Sequence, residues 1–259
     1  MQAPATALGD LAQAAATLLE RLRTRSPRVH CITNAVAQNF TANALLSLAC
    51  VPSMTLSAEE ITAFVAGSDA LLVNLGTFDA ERRAAAEIAV DAVAQEAVPW
   101  VLDPVFVDRS AARAEFAREL IARSPAVVRL NHAEFVALAG SEPSREAMMA
   151  AAADNELTIG LSGAADLVTD GKRAASIANG HPLMARVTAM GCAGSALVAA
   201  CLAVEDDAFV ATASALTIIG VAGEVAAEKA QGPGSFAVAF LDALYRLDAA
   251  TLAARAMVT

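Results

Sequence analysis

The stretch from Ala70 to Val105, ALLVNLGTFDAERRAAAEIAVDAVAQEAVPWVLDPV, decides the fold class. It opens on an apolar run that only Asn74 interrupts. An alanine-rich segment follows, which Asp79 can cap as a helix reaching to about Glu96, and a second apolar run covers residues 98–102. Strand, helix and strand in this order are typical of a βαβ unit, in which a helix packed on the sheet connects two parallel strands.

The same alternation continues on both sides of this unit. Further strands are predicted at Val29–Ile32, Pro52–Thr55, Ala126–Leu130, Leu157–Leu161 and Ala165–Thr169, with a hairpin return over Arg173–Asn179. Helices are predicted up to about Arg25, over Val36–Ala49, after a capping box formed by Ser57 and Glu60, over Ala111–Ser124, from Asn131 to Gly140, and almost throughout from Gly191 onward. This order predicts one α/β domain over residues 1–259, with a mostly parallel central sheet and helices on both faces.

Composition and charge narrow the classes of partner. Of the 259 residues, 56% are hydrophobic but only 4% are aromatic, which predicts a core of small aliphatic side chains under closely packed helices. The formal net charge of −10 opposes binding to nucleic acid or to anionic lipid, so neither is expected as a partner.

Two features bear on location. The N-terminal segment lacks the basic region and apolar core of a signal peptide, and the apolar stretch from Ala208 to Gly223 is predicted to be a buried core helix, not a membrane span. Four cysteines without CxxC spacing suit thiols in a reducing compartment. We therefore expect a cytoplasmic protein.

Polar residues follow several of the predicted strands, where ligands bind in parallel sheets. They are Asn34, Thr77, Asp103, Asn131 and Ser162. Asp103 is placed to bind Mg²⁺, although for one aspartate alone a helix cap or turn is the preferred explanation. Glu134 could join it at the metal and Arg129 could face phosphate oxygens, or Asn131 and Glu134 could simply form a capping box.

The segment VTAMGCAGSA, residues 187–196, combines small residues with a predicted helix start. The chain has neither a Walker A sequence nor Gly-x-Gly-x-x-Gly, so a phosphate would bind here through the free N–H groups and the dipole of the helix. Cys192 in the first turn would have a lowered pKa and could contact a substrate hydroxyl. The alternative is a turn before a buried helix, with Cys192 as packing.

Several motifs together resemble one family, that of hydroxyethylthiazole kinase, within the ribokinase-like superfamily. The resemblance runs from about Pro27 to Tyr245. It rests on HCITN (30–34) with Asn39 and Asn43, Pro52-Ser53-Met54, NLGT (74–77), LDPV (102–105), Arg129-x-Asn131-x-x-Glu134, VTDGKR (168–173), NGHPLM (179–184), Gly191-Cys192 and GPGSF (232–236).

The resemblance implies a function, cofactors and site residues. The family transfers the γ-phosphate of ATP to the primary hydroxyl of 4-methyl-5-(2-hydroxyethyl)thiazole in thiamine salvage, with Mg²⁺, and forms trimers with sites at subunit interfaces. It implies that Cys192 is catalytic, that Asp103 and Glu134 bind the metal, that Arg129, Ser162 and Gly191 bind ATP, and that Asn34, Met54 and Ala189 bind the substrate.

The chain also departs from the family pattern close to the implied site. Ala189 and Met190 stand where the family usually has Gly and a small residue, Phe106 begins a segment that is Gly-rich in the family, and Leu130 replaces the usual Gly. Three alternatives therefore stand beside the thiazole kinase: a kinase retuned to another small heterocyclic alcohol, a non-catalytic ligand-binding descendant, and an enzyme using Cys192 as a covalent nucleophile. The last lacks a His/Asp partner pattern.

Overall fold

The computed structural model describes residues 11–259, which are built around one eight-stranded sheet of order β2-β1-β3-β4-β5-β6-β7-β8. The first six strands are parallel, and the last two form an antiparallel hairpin beside them. The strands are β1 Arg28–Ile32, β2 Val51–Ser53, β3 Ala70–Asn74, β4 Trp100–Asp103, β5 Val127–Asn131, β6 Thr158–Ser162, β7 Asp166–Thr169 and β8 Ala174–Ile177. The mostly parallel sheet is as predicted.

Helices cover both faces of the sheet. They are α1 Leu11–Arg25, α2 Gln38–Ser47, α3 Ile61–Ala66, α4 Ala80–Glu96, α5 Ala111–Ile121, α6 His132–Ala139, α7 Arg145–Asp154, α8 Met190–Leu202, α9 Ala208–Ala227, α10 Pro233–Arg246 and α11 Ala249–Arg255. A 3₁₀ turn, Pro182–Arg186, precedes α8. Residues 1–10, the first part of the predicted N-terminal helix, lie outside the described residues.

Alternate side chains of each central strand enter two separate cores. On β3, Ala70 and Leu72 pack under α8 and its neighbours, whereas Leu71 and Val73 pack under α3 and α4. Strands buried on both faces are continuous apolar runs without polar alternation, which is why β3 and β4 were recognisable in the sequence. The apolar α9 packs against α1, α8 and α10. It is long and apolar enough to cross a membrane, but 83% of its most apolar window is buried inside the protein, as predicted for a core helix.

Two predictions about the helices were wrong. Ser57 and Glu60 do not form a capping box, because α3 begins only at Ile61 and the Glu60 carboxylate accepts a hydrogen bond from the Thr55 hydroxyl at 2.8 Å. Helix α7 was not predicted at all. Only Met148 and Ala152 of this helix are buried, so its sequence carries little apolar periodicity.

The two edges of the sheet differ. The segment Met257–Thr259 pairs with the outer side of β8, since Ser176 and Thr259 exchange two backbone hydrogen bonds of 2.7 and 2.9 Å. Strand β2 has no strand on its outer side among the described residues. One edge is therefore covered by the chain itself, and the other is open.

Candidate active site

Asn74 is the centre of a hydrogen-bonded network at the carboxyl ends of the parallel strands. In the sheet register it lies beside Asp103, and its amide nitrogen donates to Asp103 Oδ2 at 2.6 Å and to Cys192 Sγ at 3.3 Å. Its amide oxygen accepts from Asn34 Nδ2 at 3.1 Å and from the backbone N–H of Gly76 at 3.0 Å. One buried amide thus joins Asn34 and Asp103, two of the residues predicted to gather at the strand ends, to Cys192.

Gly76 leaves the space that this arrangement needs. A Cβ at position 76 would lie 2.6 Å from Asn34 Nδ2, which is closer than real contacts of this kind. Asn34 can therefore reach both Asn74 and Cys192 Sγ, the latter at 3.1 Å.

The start of α8 forms the wall opposite the strand ends. Ala189 is the N-cap and has a left-handed backbone with φ 72° and ψ 0°. Its carbonyl accepts from Ala193 N–H at 2.8 Å, and the N–H groups of Gly191 and Cys192 have no hydrogen-bond partner in the part of the chain described. Free N–H groups at a helix start suit an anion, and both residues line the cavity described below.

The predicted lowering of the Cys192 pKa was wrong. Burial, reinforced by the nearby Asp103 carboxylate, raises the pKa of the Cys192 thiol to about 11, although Asn34 and Asn74 donate to its sulfur. The helix start and Arg129 do not outweigh burial and a neighbouring negative charge. Cys192 is therefore a neutral thiol whose position two amides fix.

Asp103 and Glu134 are both almost fully buried, with 4% and 5% exposure. Burial raises the pKa of each carboxyl, while Arg129, Ser195 and Asn74 act in the opposite direction on Asp103. Ser195 Oγ donates to the same Asp103 oxygen, Oδ2, at 2.8 Å. Both donors therefore bind one oxygen of Asp103, and Oδ1 has no partner in the described chain.

Glu134 makes contacts that bear on both alternatives that the sequence left open. It completes a capping box with Asn131, accepting from the Asn131 N–H at 2.9 Å, and its other oxygen accepts from the Phe106 N–H at 3.0 Å. It also lines the same cavity as Asp103. No group of three His, Cys, Asp or Glu side chains comes together within residues 11–259. Two carboxylates fit Mg²⁺, which keeps several waters and takes further ligands from phosphates.

Arg129 and Ser162 lie on the strands beyond Asp103. Arg129 Nη1 donates to the Gly191 carbonyl at 3.0 Å, and a Cβ at Gly194 would approach its guanidinium carbon to 3.3 Å, so α8 packs directly on this side chain. Ser162 ends β6, and its hydroxyl donates to the Leu130 carbonyl at 3.2 Å.

A cavity of about 480 Å³ joins most of the predicted site residues. Its lining includes Asp103, Arg129, Glu134, Ser162, Ala189, Gly191 and Cys192. Asn34 contacts Cys192 without lining the cavity, and Met54 lies apart from it, just after the edge strand β2. Asn39 and Asn43 hydrogen-bond to each other on an exposed helix face, so their amides are not oriented toward this cavity.

The sequence analysis assigned no role to Asn74 or Ser195, although both bind Asp103 directly. Each carried a weak signal. Asn74 is the only polar residue in an apolar strand, and Ser195 lies three positions after Cys192 in an otherwise apolar helix. A buried polar side chain requires a partner, and that requirement could have drawn attention to both residues.

Known proteins resemble this chain over nearly its whole length. The model of the hydroxyethylthiazole kinase family matches residues 19–250. A probable hydroxyethylthiazole kinase of Agrobacterium fabrum is 48% identical over 238 residues, covering 91% of this chain and 92% of its own. The hydroxyethylthiazole kinase of Granulibacter bethesdensis is 46% identical over 248 residues, covering 91% and 90%.

Solved structures with a similar fold point in the same direction. A hydroxyethylthiazole kinase protein from Pyrococcus horikoshii superposes with a TM-score of 0.92 at 37% identity, covering 95% of this chain and 98% of its own. A ribokinase-like superfamily protein of Enterococcus faecalis, at 13% identity, has a TM-score of 0.67 over 94% of this chain and 90% of its own, which confirms the predicted ribokinase-like fold. From the family match, the identities and the strand-end site together, it follows that the chain belongs to the hydroxyethylthiazole kinase family.

Proposed function

We propose that this protein transfers the γ-phosphoryl group of ATP to the primary hydroxyl of 4-methyl-5-(2-hydroxyethyl)thiazole, as a step of thiamine salvage. One observation carries the proposal. Cys192, at the start of α8, is joined through Asn74 to Asp103, and both Cys192 and Asp103 line a cavity large enough for a small ligand with phosphates. Anion-binding N–H groups beside a carboxylate and a hydroxyl-orienting side chain are the elements that phosphoryl transfer uses.

The phosphoryl group would lie against the N–H groups of Gly191 and Cys192. These donors stabilise the charge that spreads over the equatorial oxygens as the phosphoryl group moves. Arg129 and Ser162 would hold the nucleotide from the other side of the cavity. Because the Cys192 thiol is neutral, its role would be to position the substrate hydroxyl.

Asp103 and Glu134 would hold Mg²⁺, directly or through water. The ion would supply charge neutralisation for the phosphates, which an acidic chain with net charge −10 needs. Asp103 Oδ1 has no competing donor among the described residues, since Asn74 and Ser195 both bind Oδ2.

The part of the site that binds the alcohol substrate would be completed by a second copy of this chain in a homotrimer. Asn34 and Ala189 border Cys192, but Met54 lies outside the cavity beside the open edge strand β2. Val51 and Phe64 line a groove there and are 49% and 40% exposed. A contiguous exposed apolar surface suits a subunit interface, and a trimer would bring residues of two copies together. We place this assembly in the cytoplasm.

A second candidate is a kinase for another small heterocyclic alcohol. It is favoured by the Ala189 methyl group, which borders the cavity where the backbone is left-handed, and by Met190, whose side chain fills the first turn of α8. Both side chains would narrow the space for the substrate beside Cys192.

One experiment separates these functions. ATP consumption and phosphoester formation are measured with Mg²⁺, first with the thiazole alcohol and then with a panel of hydroxymethyl heterocycles. Efficient turnover of the thiazole supports the first function, and turnover only with another alcohol supports the second. Ligand binding without phosphorylation of any alcohol would contradict both.

A further inference from the structure

Phe106 lies at the wall of the cavity in a backbone conformation that an aromatic residue rarely adopts. Its φ is +63°, in the left-handed region, which costs roughly 1–2 kcal/mol for a residue with a Cβ. Its ring is 55% exposed, so burial of the ring returns little of that cost. Strained residues of this kind persist where their neighbours hold them in place, and they cluster at functional sites.

The backbone around Phe106 is held from several sides. The Phe106 N–H donates to Glu134 Oε1 at 3.0 Å, and the next residue, Val107, is buried with 3% exposure. The Arg113 guanidinium lies 6.0 Å from the ring centroid and donates to the Val105 carbonyl at 3.0 Å. The loop after β4 therefore holds the Phe106 backbone in place where the residue lines the cavity.

The side chains that line the cavity beside Phe106 include several polar ones, and the Phe106 ring makes no hydrogen bond with them. It lines the same cavity as Asp103, Glu134 and Cys192. A phenyl ring can neither bind a metal nor donate to phosphate, so at the mouth of a polar cavity its chemical effect is to displace water. Water is the competing acceptor in every phosphoryl transfer to an alcohol.

We propose that Phe106 excludes water from the phosphoryl-transfer half of the cavity and thereby suppresses ATP hydrolysis. This rests on the proposed ATP-dependent function. In the suppressed reaction the oxygen of water bonds to the γ-phosphorus, and the bond from that phosphorus to the β–γ bridging oxygen breaks. The products are ADP, inorganic phosphate and a proton. Phe106 is thus a specificity-determining residue that selects the alcohol over water as acceptor.

The test compares three substitutions in the full-length protein. Phe106→Gly and Phe106→Asn both suit a left-handed backbone and both remove the ring, whereas Phe106→Leu keeps an apolar side chain. ADP and inorganic phosphate are measured with MgATP alone, and ADP and phosphoester are measured with the thiazole alcohol present. We expect Gly and Asn each to raise hydrolysis without alcohol and the ratio of ADP to phosphoester several-fold, and Leu to change them far less.

A control variant measures what the relief of backbone strain does by itself. Ala97→Gly, at the C-cap of α4 with φ 54°, lies outside the cavity and should leave both quantities unchanged. If Phe106→Gly raises hydrolysis and Phe106→Asn does not, the effect comes from loop flexibility, and the proposal is overturned. Unchanged hydrolysis in both variants would also overturn it, as would a change in oligomer mass by light scattering, since that would make the ring an interface residue.

The outcomes also separate this proposal from the proposed function. If the wild-type protein forms no phosphoester with any alcohol, the kinase function fails, but increased hydrolysis by the Gly and Asn variants would still support the role of Phe106. If the wild-type protein phosphorylates the thiazole and the variants form ADP and phosphoester in the wild-type ratio, only the Phe106 proposal fails.

Discussion

At the scale of single residues, Ala189 combines a position in the cavity wall with a strained backbone. Its φ of 72° favours glycine, so Ala189→Gly should raise the free energy of unfolding by about 1 kcal/mol. For a chain of this size that corresponds to a rise in Tm of roughly 2–4 °C. Because the substitution also removes a methyl group from the cavity wall, we expect a lower KM for the thiazole alcohol.

Ala97→Gly is the matched control for this prediction. It relieves a similar backbone, with φ 54°, far from the cavity, and should raise Tm without changing KM. Thermal unfolding followed by circular dichroism and steady-state kinetics measure the two effects. If both variants change KM equally, Ala189 has no special position relative to the substrate.

Cys192 shows how far residue-level prediction reached. The motif was sufficient to single it out, because a Gly-Cys pair before a helix is visible in the sequence. The direction of its pKa shift was not predictable, since it depends on burial and on the approach of Asp103, which is distant in sequence. Asn74 was overlooked for the same reason: its partners Asn34, Asp103 and Cys192 come from three other segments.

At the scale of elements, α6 has an N-terminus that serves both the fold and the site. Asn131→Ala removes the cap and should cost about 1 kcal/mol of stability while leaving the carboxylate of Glu134 in place. Glu134→Gln keeps one oxygen that can accept from the Asn131 N–H but loses the acceptor for the Phe106 N–H, so it should also cost about 1 kcal/mol or more of stability. If Glu134 helps to hold Mg²⁺, however, the Mg²⁺ concentration for half-maximal activity should rise strongly only in the Gln variant.

Denaturant unfolding and a Mg²⁺ titration of activity check this pair. Equal Mg²⁺ dependence in Glu134→Gln and the wild-type protein would leave Glu134 with a purely structural role. Reduced Mg²⁺ affinity in Asn131→Ala as well would mean that the cap, and not the charge, determines the position of the ion.

Helix N-caps also explain which helix starts could be predicted from the sequence. Asp79 and Asn131 were identified correctly because each accepts from a backbone N–H three residues later, the local contact that the motif describes. Ser57 and Glu60 match a similar pattern, but Thr55 binds the Glu60 carboxylate instead. A local motif therefore predicts a helix start only where no neighbouring side chain competes.

At the scale of the whole molecule, buried thiols should make stability depend on alkaline pH. Burial raises the pKa of Cys31 and of Cys50 from 9.0 to about 12. The unfolded chain therefore releases these protons first as pH rises. The stability that they contribute is complete below pH 9 and is lost progressively toward pH 12, by about 1.4 kcal/mol per pH unit for each thiol.

Urea unfolding between pH 7.5 and 10.5, under reducing conditions, measures this slope. Cys50→Ala changes the stability at every pH, but it should also make the decline above pH 9 shallower than in the wild-type protein. Parallel curves for the two proteins would show that Cys50 titrates normally in the folded state.

The proposed trimer gives a prediction for the open side of the sheet. Val51→Lys places a charge on the exposed groove beside Phe64 and should shift the protein toward monomer in light scattering. Val238→Lys, on the exposed face of α10, is the matched control and should leave the mass unchanged. A trimer that survives Val51→Lys would place the interface elsewhere.

The global architecture was the most predictable level, and the strand order was the least. Continuous apolar runs separated by helical patterns predict a parallel sheet, because only strands covered on both faces have such sequences. The position of β1 between β2 and β3, by contrast, is set by packing between distant segments. It left no signal in any local stretch of the chain.

The unequal edges of the sheet have a consequence for self-association. Fibril growth by strand addition needs two free edges on every molecule, one to receive a strand and one to offer it. Here Met257–Thr259 already lies along β8, so within residues 11–259 β2 is the edge strand that no other strand covers. Two molecules can pair edge to edge through β2, but each end of the pair then presents only the short segment Met257–Thr259, which offers few backbone groups for a further strand to bind.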